Sequence, residues 1–316
     1  MSDASPSAMI TVIVPTFHRP HGALSAVRSV FAQVGAPSFD VLLVDNDAGQ
    51  SGRDAATTLA KESLVSFTYA VEAAPGVANA RNTAVAMAKG RFVAFLDDDE
   101  VATPTWLAQL YAAHLATKAD VVFGPIEARL PPSSAQPRAY FQAFFSRLLD
   151  GETRVIDKPY GCGNSLLLRD TVLRGPTPFD PSTNETGGED DLLWHDVRQW
   201  GGTFGWAKEA WVFEDVPESR ASWAYLTKRA FAYGHNTTAQ WWTGAQRSYG
   251  QVVYSMARGT LQAIVMAPIT LILWALRHEK RAWAFDKMMR GLGKVLWFGP
   301  FRVAFYGAAA QKKLSA

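Results

Sequence analysis

The sequence predicts an α/β fold in which helices flank a mostly parallel central sheet. In the first half of the chain, short apolar runs rich in β-branched residues alternate with segments whose apolar residues recur at helical spacing. Strands that are apolar throughout are typical of a sheet covered on both faces, and strands that alternate with helices pair in parallel through right-handed connections. The five strands predicted here cover residues 10–15, 39–45, 66–71, 91–96 and 120–124.

Helix signals lie in three of the four intervals between these strands. Gly90 is expected to end one helix in the C′ position, whereas Thr103 and Pro104 are expected to begin another as its N-cap and first helical residue. After Gly124 the alternation weakens. Further short strands are predicted over 164–169, 203–206 and 210–214. The predicted helices cover residues 23–33, 78–89, 103–115, 189–200 and 222–233.

The composition is that of a globular chain with a large core. The 316 residues allow one large domain or two modest ones, and 48% of them are apolar, which excludes disorder of the whole chain. Cys162 is the only cysteine, which excludes an internal disulfide framework and a multi-cysteine metal site. The formal net charge of +2 gives no overall preference for a polyanion, and residues 1–8 lack the pattern of a secretory signal.

Four acidic residues, Asp97 to Glu100, directly follow the predicted strand over 91–96. In an open parallel sheet, ligands bind beyond the carboxyl ends of the strands. Acids crowded there repel one another unless a cation or hydrogen-bond donors compensate, and carboxylate oxygens suit Mg²⁺ or Mn²⁺ that bridge to substrate phosphates. We favour this metal interpretation over a solvated acidic turn that caps the next helix.

A second polar group, Asp45-Asn46-Asp47, ends the second predicted strand. Asp45 is expected to face the same crevice as Asp97 and to accept a hydrogen bond from a base or a ribose hydroxyl. The alternative is an Asx turn, because Asn46, Asp47 and Gly49 are typical turn residues.

Arg81 lies in the first turns of the predicted helix that follows Pro75-Gly76. Its guanidinium can bind a diphosphate or pair with Asp45 or Asp97, and the alternative is a surface cation. Neither a Gly-x-Gly-x-x-Gly nor a Gly-x₄-Gly-Lys-Ser/Thr loop is present in the sequence, so a dinucleotide-dependent dehydrogenase and a P-loop NTPase are not supported.

The segment Gly187-Gly188-Glu189-Asp190-Asp191 begins another predicted helix. Carboxylates at a helix N-terminus are stabilised by the helix dipole, so simple capping explains them. A carboxylate in this place can also act as the general base that deprotonates an acceptor hydroxyl.

The ordered combination of six segments resembles glycosyltransferase family 2, the inverting enzymes of the GT-A fold, and implies a Rossmann-like central sheet. The segments are VIVPTFHRP (12–20), VDNDAGQSG (44–52), PGVANARN (75–82), FLDDDE (95–100), GCGNSLLLR (161–169) and GGEDDLLW (187–194). Two further segments are similar to bacterial exopolysaccharide glycosyltransferases of the succinoglycan type: WVFEDVPESR (211–220) and RAFAYGHN (229–236).

The resemblance implies a role for each matching residue. Asp97 and Asp99 would be ligands of Mn²⁺ or Mg²⁺, and Glu214 would be a third carboxylate ligand. Asp190 would be the base that deprotonates the acceptor. The side chains expected to bind the donor are Thr16, Asp45, Asp47, Arg81, Asp97, Asp98, Asn164 and Glu189.

The sequence departs from the family pattern at two positions. His18 stands where the family usually has Asn, and Leu192 stands where a second acid often follows the Glu-Asp pair. The sequence also lacks a Gln-x-x-Arg-Trp motif, which argues against a processive synthase.

The implied reaction is the inverting transfer of a sugar from a nucleotide-sugar, expected to be UDP-linked, to a saccharide acceptor in exopolysaccharide or cell-surface glycan synthesis. A metal-dependent nucleotidyl- or phosphotransferase would use the same aspartates. A non-catalytic membrane scaffold that kept the fold is the third alternative.

The C-terminal region differs from the rest of the chain in charge and hydropathy. Residues 259–276 carry no charge, whereas residues 277–316 contain nine basic and two acidic residues. The mixture of aromatic and basic residues over 283–306 indicates an interfacial helix on anionic lipid, and the alternative is an apolar core or dimer helix. We expect a catalytic domain over 1–220 and a helical, membrane-associated region over 221–316.

These features predict a location at the cytoplasmic face of the cell inner membrane, where the acceptor would be a saccharide linked to polyprenyl diphosphate. The uncharged run reaches the lower limit for a membrane span, about 17–20 residues. Gln262, Pro268 and Thr270 weaken it, and Pro268 is expected to kink the helix. We therefore favour a monotopic or re-entrant segment over a full span. The acidic catalytic body argues against a nucleic-acid partner.

Overall fold

The computed structural model describes residues 8–184, 187–243 and 247–301. The expectations for residues 1–7 and 302–316 lie outside the described residues. The first nine elements are β1 (Ile10–Thr16), α1 (Pro20–Phe31), β2 (Phe39–Asp45), α2 (Arg53–Glu62), β3 (Phe67–Val71), α3 (Val77–Met87), β4 (Phe92–Phe95), β5 (Glu100–Ala102) and α4 (Trp106–Thr117).

The chain continues with elements that were harder to predict. They are β6 (Val121–Phe123), β7 (Ile126–Arg129), α5 (Arg138–Phe145), β8 (Arg154–Ile156), β9 (Ser165–Leu168), α6 (Arg169–Val172), α7 (Glu189–Gln199), β10 (Phe204–Trp206), β11 (Val212–Asp215), α8 (Trp223–Thr243), α9 (Tyr249–Ala275) and α10 (Arg281–Val295). The sequence patterns did not predict α2, α5, β5, β7 or β8, which are short or lack a clear apolar period.

The central sheet has eight strands in the order β3-β2-β1-β4-β9-β6-β10-β8. Six of these strands run in one direction, while β9 is antiparallel to β4 and β6, and β8 is antiparallel to β10. A second, three-stranded sheet has the order β5-β11-β7. The predicted fold class, α/β with a mostly parallel central sheet, is confirmed.

The core lies on both faces of the central sheet, as the uninterrupted apolar strands predict. Val12 and Val14 of β1 pack on one face against α1 and α4, whose Trp106 is fully buried. Ile13, on the opposite face of the same strand, packs with residues of α3 and with Trp194 of α7. β1 pairs with β2 from Ile10–Phe39 to Thr16–Asp45, which places Thr16 and Asp45 side by side at the strand ends.

Two predicted helix ends are wrong. α3 ends at Met87 and Ala88 is already extended, so Gly90 is not a C′ residue. Gly90 instead lies against β1, where an added Cβ would be 2.5 Å from the Thr11 nitrogen. Thr103 does not cap α4, because its hydroxyl donates to the Trp211 carbonyl and α4 begins at Trp106. In both cases a tertiary contact takes the residue from its local role.

The chain divides into two compact units. Among the described residues, the first contains 8–127 and Ser146–Asp215, and the second contains Ala128–Phe145 and 216–301. The expected domains over 1–220 and 221–316 stay a prediction.

The second unit is helical. α10 packs against both α8 and α9, and glycines mark the close contacts. An added Cβ at Gly293 would be 2.1 Å from the Phe231 carbonyl oxygen of α8, and one at Gly291 would be 2.8 Å from the Gly259 carbonyl oxygen of α9. α9 continues through Pro268. Within the described residues it is the one helix that is long and apolar enough to cross a membrane, by length and composition.

Candidate active site

The candidate site lies where the order of the strands reverses. The chain adds β2 and β3 on one side of β1 and then places β4 on the other side. In such sheets the carboxyl ends of the two strands at the reversal flank a ligand crevice. Thr16 ends β1 and the acidic run follows β4. The Thr16 hydroxyl donates to Oδ2 of Asp98 at 2.9 Å, which joins the two strand ends.

Arg19 neutralises part of the acidic run. Its Nη1 donates to Oδ1 of Asp98 at 2.9 Å and to Oδ2 of Asp99 at 2.6 Å. Burial raises the pKa of Asp98 to about 6, although Arg19 and Thr16 lower it in part. Burial lowers the pKa of Arg19, but the two carboxylates outweigh it and leave the pKa above its usual value. Sequence reasoning missed Arg19. The feature that could have identified it is the presence of a cation three residues beyond the first strand.

Arg81 is buried, with 4% of its surface exposed, so the alternative of a surface cation is wrong. Its guanidinium lies over the rings of Phe95 and Phe179, at 5.8 and 5.6 Å from their centroids. Nη1 donates to the Glu189 carboxylate, and Nη2 lies 3.6 Å from Oδ1 of Asp97. Arg81 thus links the acid after β4 to the acid that begins α7.

The Gly161-Cys162-Gly163 loop lies between Asp97 and Asp190. An added Cβ at Gly163 would be 2.6 Å from Oδ2 of Asp97, so a side chain here would displace that carboxylate. The Cys162 N–H donates to Oδ2 of Asp190 at 3.2 Å. The structure therefore brings Asp97, Asp190 and Glu189 to one loop, which supports grouping them in one site.

Arg147 holds this loop, and sequence reasoning missed it. Nε donates to the Gly124 carbonyl at 3.0 Å. Nη1 donates to the Gly161 carbonyl at 2.7 Å, and Nη2 donates to the carbonyls of Gly163 and Asn164 at 2.7 and 2.9 Å. Burial lowers the pKa of Arg147, and the nearby Glu100 and Asp97 charges oppose that shift.

Glu100 supplies a second buried acid beside Asp97. It is 2% exposed, and its Oε2 accepts from the Asp97 N–H at 3.0 Å. Burial raises its pKa well above the usual value, and the Asp97 charge adds to the shift. Burial also raises the pKa of Asp97, which Arg81 lowers in part. The acidic run is thus an ion-paired, partly buried cluster and not a solvated turn.

The side chain of Asn164 forms its hydrogen bonds inside the protein. It is fully buried, and its Nδ2 donates to the carbonyls of Pro125 and Ala210 at 2.7 and 2.9 Å. Its Oδ1 accepts from Trp106 Nε1 at 2.8 Å. These three bonds tie β9 to its neighbours and fix the position of the loop before it.

Asp45 and Asp47 differ in their surroundings. Oδ2 of Asp45 accepts from the Gly52 N–H and the Tyr69 hydroxyl at 2.7 and 2.8 Å. Its buried Oδ1 has no hydrogen-bond partner among the described residues. Asp47 accepts from the N–H groups of Gly49 and Ser51. Burial raises the pKa of Asp47, but these bonds outweigh it and lower the pKa overall. Asp47 therefore forms the predicted turn, while Asp45 has an oxygen available for a donor.

Glu214 lies next to the acidic run. It is on β11, directly opposite Glu100 in the antiparallel pair with β5. The Asp215 N–H donates to the Asp99 carbonyl at 2.9 Å, which holds the two strands together. Side chains of directly opposed residues lie on the same face of a sheet.

The carboxylates of Asp97 and Asp99 fit a divalent cation of the magnesium type, which is held partly by substrate oxygens and water. Within residues 8–184, 187–243 and 247–301, no group of three or more His, Cys, Asp or Glu side chains is arranged to hold a metal ion. Magnesium-type sites in phosphate chemistry need only one or two carboxylates, because substrate oxygens and water complete the shell. Asp97 and Asp99 can supply those carboxylates.

A mostly parallel sheet with paired acids and arginines at its reversal point agrees with the GT-A fold that the resemblance to glycosyltransferase family 2 implies. The model of "Glycosyl transferase family 2" matches residues 11–174, just over half of the chain. The chain belongs to this family and is a glycosyltransferase.

Three similar proteins illustrate the relationship. The succinoglycan biosynthesis protein ExoM of Rhizobium meliloti is 33% identical over 261 residues, which cover 80% of this chain and 78% of that protein. The Escherichia coli enzyme WfgD, a UDP-Glc:alpha-D-GlcNAc-diphosphoundecaprenol beta-1,3-glucosyltransferase, is 32% identical over 32% of this chain and 37% of its own length. The solved structure of the mannosyltransferase PcManGT from Pyrobaculum calidifontis, in complex with GDP-Man and Mn²⁺, covers 93% of this chain and 90% of its own with a TM-score of 0.58 and 17% identity, which supports the fold.

Proposed function

We propose that this enzyme transfers a sugar from a UDP-sugar to a lipid-linked saccharide in exopolysaccharide synthesis, with inversion at the anomeric carbon. The observation that carries the proposal is the grouping of Asp97, Arg81, Glu189 and Asp190 around the Gly161–Gly163 loop. The names of the succinoglycan and diphosphoundecaprenol relatives support the pathway and the type of acceptor.

The nucleoside would bind at the ends of β1 and β2. Oδ1 of Asp45 is buried and lacks a partner among the described residues, and such an acceptor needs a donor. A base N–H or a ribose hydroxyl supplies one. Thr16 and Asp98 stand at the next strand end, and Asp47 holds the turn that carries the loop into α2.

The diphosphate would lie between the nucleoside and the acidic run. Two aromatic rings and two carboxylates hold the Arg81 guanidinium in position to bind the diphosphate. Its buried Nε has no hydrogen-bond partner among the described residues. A divalent cation held by Asp97 and Asp99 would supply charge stabilisation to the leaving nucleoside diphosphate. Glu214 lies directly opposite Glu100 in the pair of β11 with β5, and the family resemblance would make it a further ligand.

Asp190 would be the general base. It is partly exposed at the first turn of α7, and the Cys162 N–H fixes the orientation of its carboxylate. It would take the proton of the acceptor hydroxyl while that oxygen attacks the anomeric carbon from the face opposite the phosphate. One such displacement inverts the configuration, and Glu189 and the loop positioned by Asn164 would contact the donor sugar.

The second unit would associate with the cytoplasmic face of the inner membrane. The exposed apolar surface of α9 supports this location, because a polyprenyl-diphosphate acceptor has its reactive end at the bilayer surface. In this proposal residues 1–220 are the catalytic domain and 221–316 are the membrane-associated region.

A donor panel tests the function. The full chain is incubated with UDP-, GDP- and TDP-sugars, Mn²⁺ and a polyprenyl-diphosphate saccharide, and the products are identified by mass spectrometry and the anomeric configuration by NMR. We expect a glycoside of inverted configuration from a UDP-sugar. A product that carries phosphate or nucleotide would overturn the proposal in favour of a nucleotidyl- or phosphotransferase.

A further inference from the structure

The outward face of α9 is apolar over the whole length of the helix. The side chains of Val253, Leu261, Ile264, Leu271 and Ile272 are 58–72% exposed. Arg258 is the only charged residue of α9. A contiguous exposed apolar face of this size is typical of a binding surface and not of a monomer in water.

The opposite face of α9 packs against charged residues of α10. Nζ of Lys294 donates to Oε1 of Gln262 at 2.8 Å, and Nε2 of Gln262 donates to the Lys287 carbonyl at 2.5 Å. Gly259 lies so close to α10 that an added Cβ would be 2.6 Å from Cβ of Lys294. The middle of α9 is therefore level with the turns of α10 that carry Lys287 and Lys294.

These cations form one cluster. Arg258 is exposed on α9, and Lys287, Arg290 and Lys294 lie on the adjoining turns of α10. Burial lowers the pKa of Lys294, and the charges of Arg258, Arg290 and Lys287 lower it further, so all four belong to the same electrostatic neighbourhood. Asp286 is bonded to Arg290, which leaves the cluster with net positive charge.

This arrangement decides between a spanning and a surface-bound helix. If α9 crossed the bilayer, Lys287, Arg290 and Lys294 would lie near the middle of the hydrocarbon layer, where charged side chains are costly. If α9 lies flat, its apolar face enters the acyl boundary and the cations flank it at the level of the headgroups.

We propose that α9 binds the surface of an anionic bilayer with its axis parallel to the membrane plane, through the face formed by Val253, Leu261, Ile264, Leu271 and Ile272, and does not span the bilayer. The inference rests on the proposed function in one respect, namely that the acceptor is held in a membrane.

Depth measurements test the orientation. Val253→Cys, Leu261→Cys and Leu271→Cys are made in the full chain, labelled with a nitroxide and bound to vesicles of phosphatidylcholine and phosphatidylglycerol. Cys162 is buried, so the introduced thiol is the reactive one. Leu64→Cys, at a fully exposed position of the first unit, is the aqueous control.

The two orientations give different profiles by power saturation with oxygen and a nickel chelate. Positions 253 and 271 lie about 12 and 15 Å from position 261 along the axis. We expect all three labels at the same shallow depth. A profile that is deepest at 261 and shallower on both sides would establish a span and overturn the proposal, as would three labels that remain in water.

A charge series tests the role of the cations. Arg258→Gln and Lys287→Gln should each weaken binding to these vesicles by about fivefold at low salt. Neither should change binding to pure phosphatidylcholine, and Lys61→Gln on α2 should behave as wild type. Equal loss on both lipids would contradict a role for anionic headgroups.

Activity separates this inference from the proposed function. Sugar transfer with labels that stay in water would refute the surface-bound helix alone. Labels at uniform shallow depth without any sugar transfer would refute the function and leave the membrane surface standing. Circular dichroism and calorimetric unfolding of each variant confirm that it has folded.

Discussion

The candidate site and α9 of the second unit differ in where their charged and apolar side chains lie. In the site, four acids pair with Arg19 or Arg81, and both Asp98 and Glu100 are almost completely buried. On α9, a single charge occurs in 27 residues, and the apolar side chains point outward. Buried pairs suit a highly charged ligand such as a nucleoside diphosphate, whereas an outward apolar face suits lipid. The two regions therefore match the polar donor and the membrane-bound acceptor of the proposed function.

The largest effect on the candidate site is expected from Asp99→Ala. Loss of this carboxylate removes a proposed ligand and one of the two acids that Arg19 holds. We expect metal-dependent binding of UDP to fall below detection in titration calorimetry with Mn²⁺. Asp170→Ala, at an exposed acid, is the control. Unchanged affinity in the Asp99 variant would remove that residue from the site.

Asp190→Asn should separate binding from chemistry. The amide retains the shape of the side chain but cannot accept the acceptor proton. We expect turnover to fall by a factor on the order of 10² or more, with UDP affinity nearly unchanged. Asp191→Asn, in the same turn but more exposed, is the matched control. If turnover falls in the Asp191 variant instead, the base has been assigned to the wrong residue.

The sequence was most informative where a signal is local. The strand over 39–45 is observed with the same bounds, and the strand before the acidic run ends one residue earlier than predicted. The acids at strand ends could be grouped because parallel strands bring their carboxyl ends to one edge. Their roles in catalysis stay predictions.

The arginines of the site show why the remainder was missed. Arg19 bonds to acids about 80 residues away in sequence, and Arg147 bonds to carbonyls in two separate segments, at Gly124 and over 161–164. Such pairings leave no periodic pattern, and a backbone carbonyl is available from any residue type. The same reason explains why the contacts of Asn164 were not predicted. The family motif predicts that Asn164 binds the donor, but its side-chain amide donates to a buried backbone carbonyl.

Arg147→Met tests whether Arg147 holds the Gly161–Gly163 loop in position. The change leaves four carbonyls without this donor and removes a positive charge near Glu100. We expect a loss of about 2–4 kcal/mol in the free energy of unfolding and about a tenfold loss in turnover, because the loop that touches Asp97 and Asp190 would move. Urea denaturation and steady-state kinetics measure both. Arg154→Met, at an exposed position, should change neither quantity.

The smallest expected effect concerns the helical half alone. A Cβ at Gly291 would lie 2.8 Å from the Gly259 carbonyl oxygen and 2.9 Å from the Ala263 nitrogen, and both are backbone atoms that cannot rotate away. Gly291→Ala should therefore push α9 from α10 and cost about 1–3 kcal/mol of stability in the second unit. Gly250→Ala, with open space around its added Cβ, should cost nothing. Calorimetric unfolding measures the loss, and titration with UDP and Mn²⁺ should give wild-type affinity because the donor site lies in the first unit. If donor affinity fell together with stability, the two regions would not be as independent as their opposite use of charge suggests.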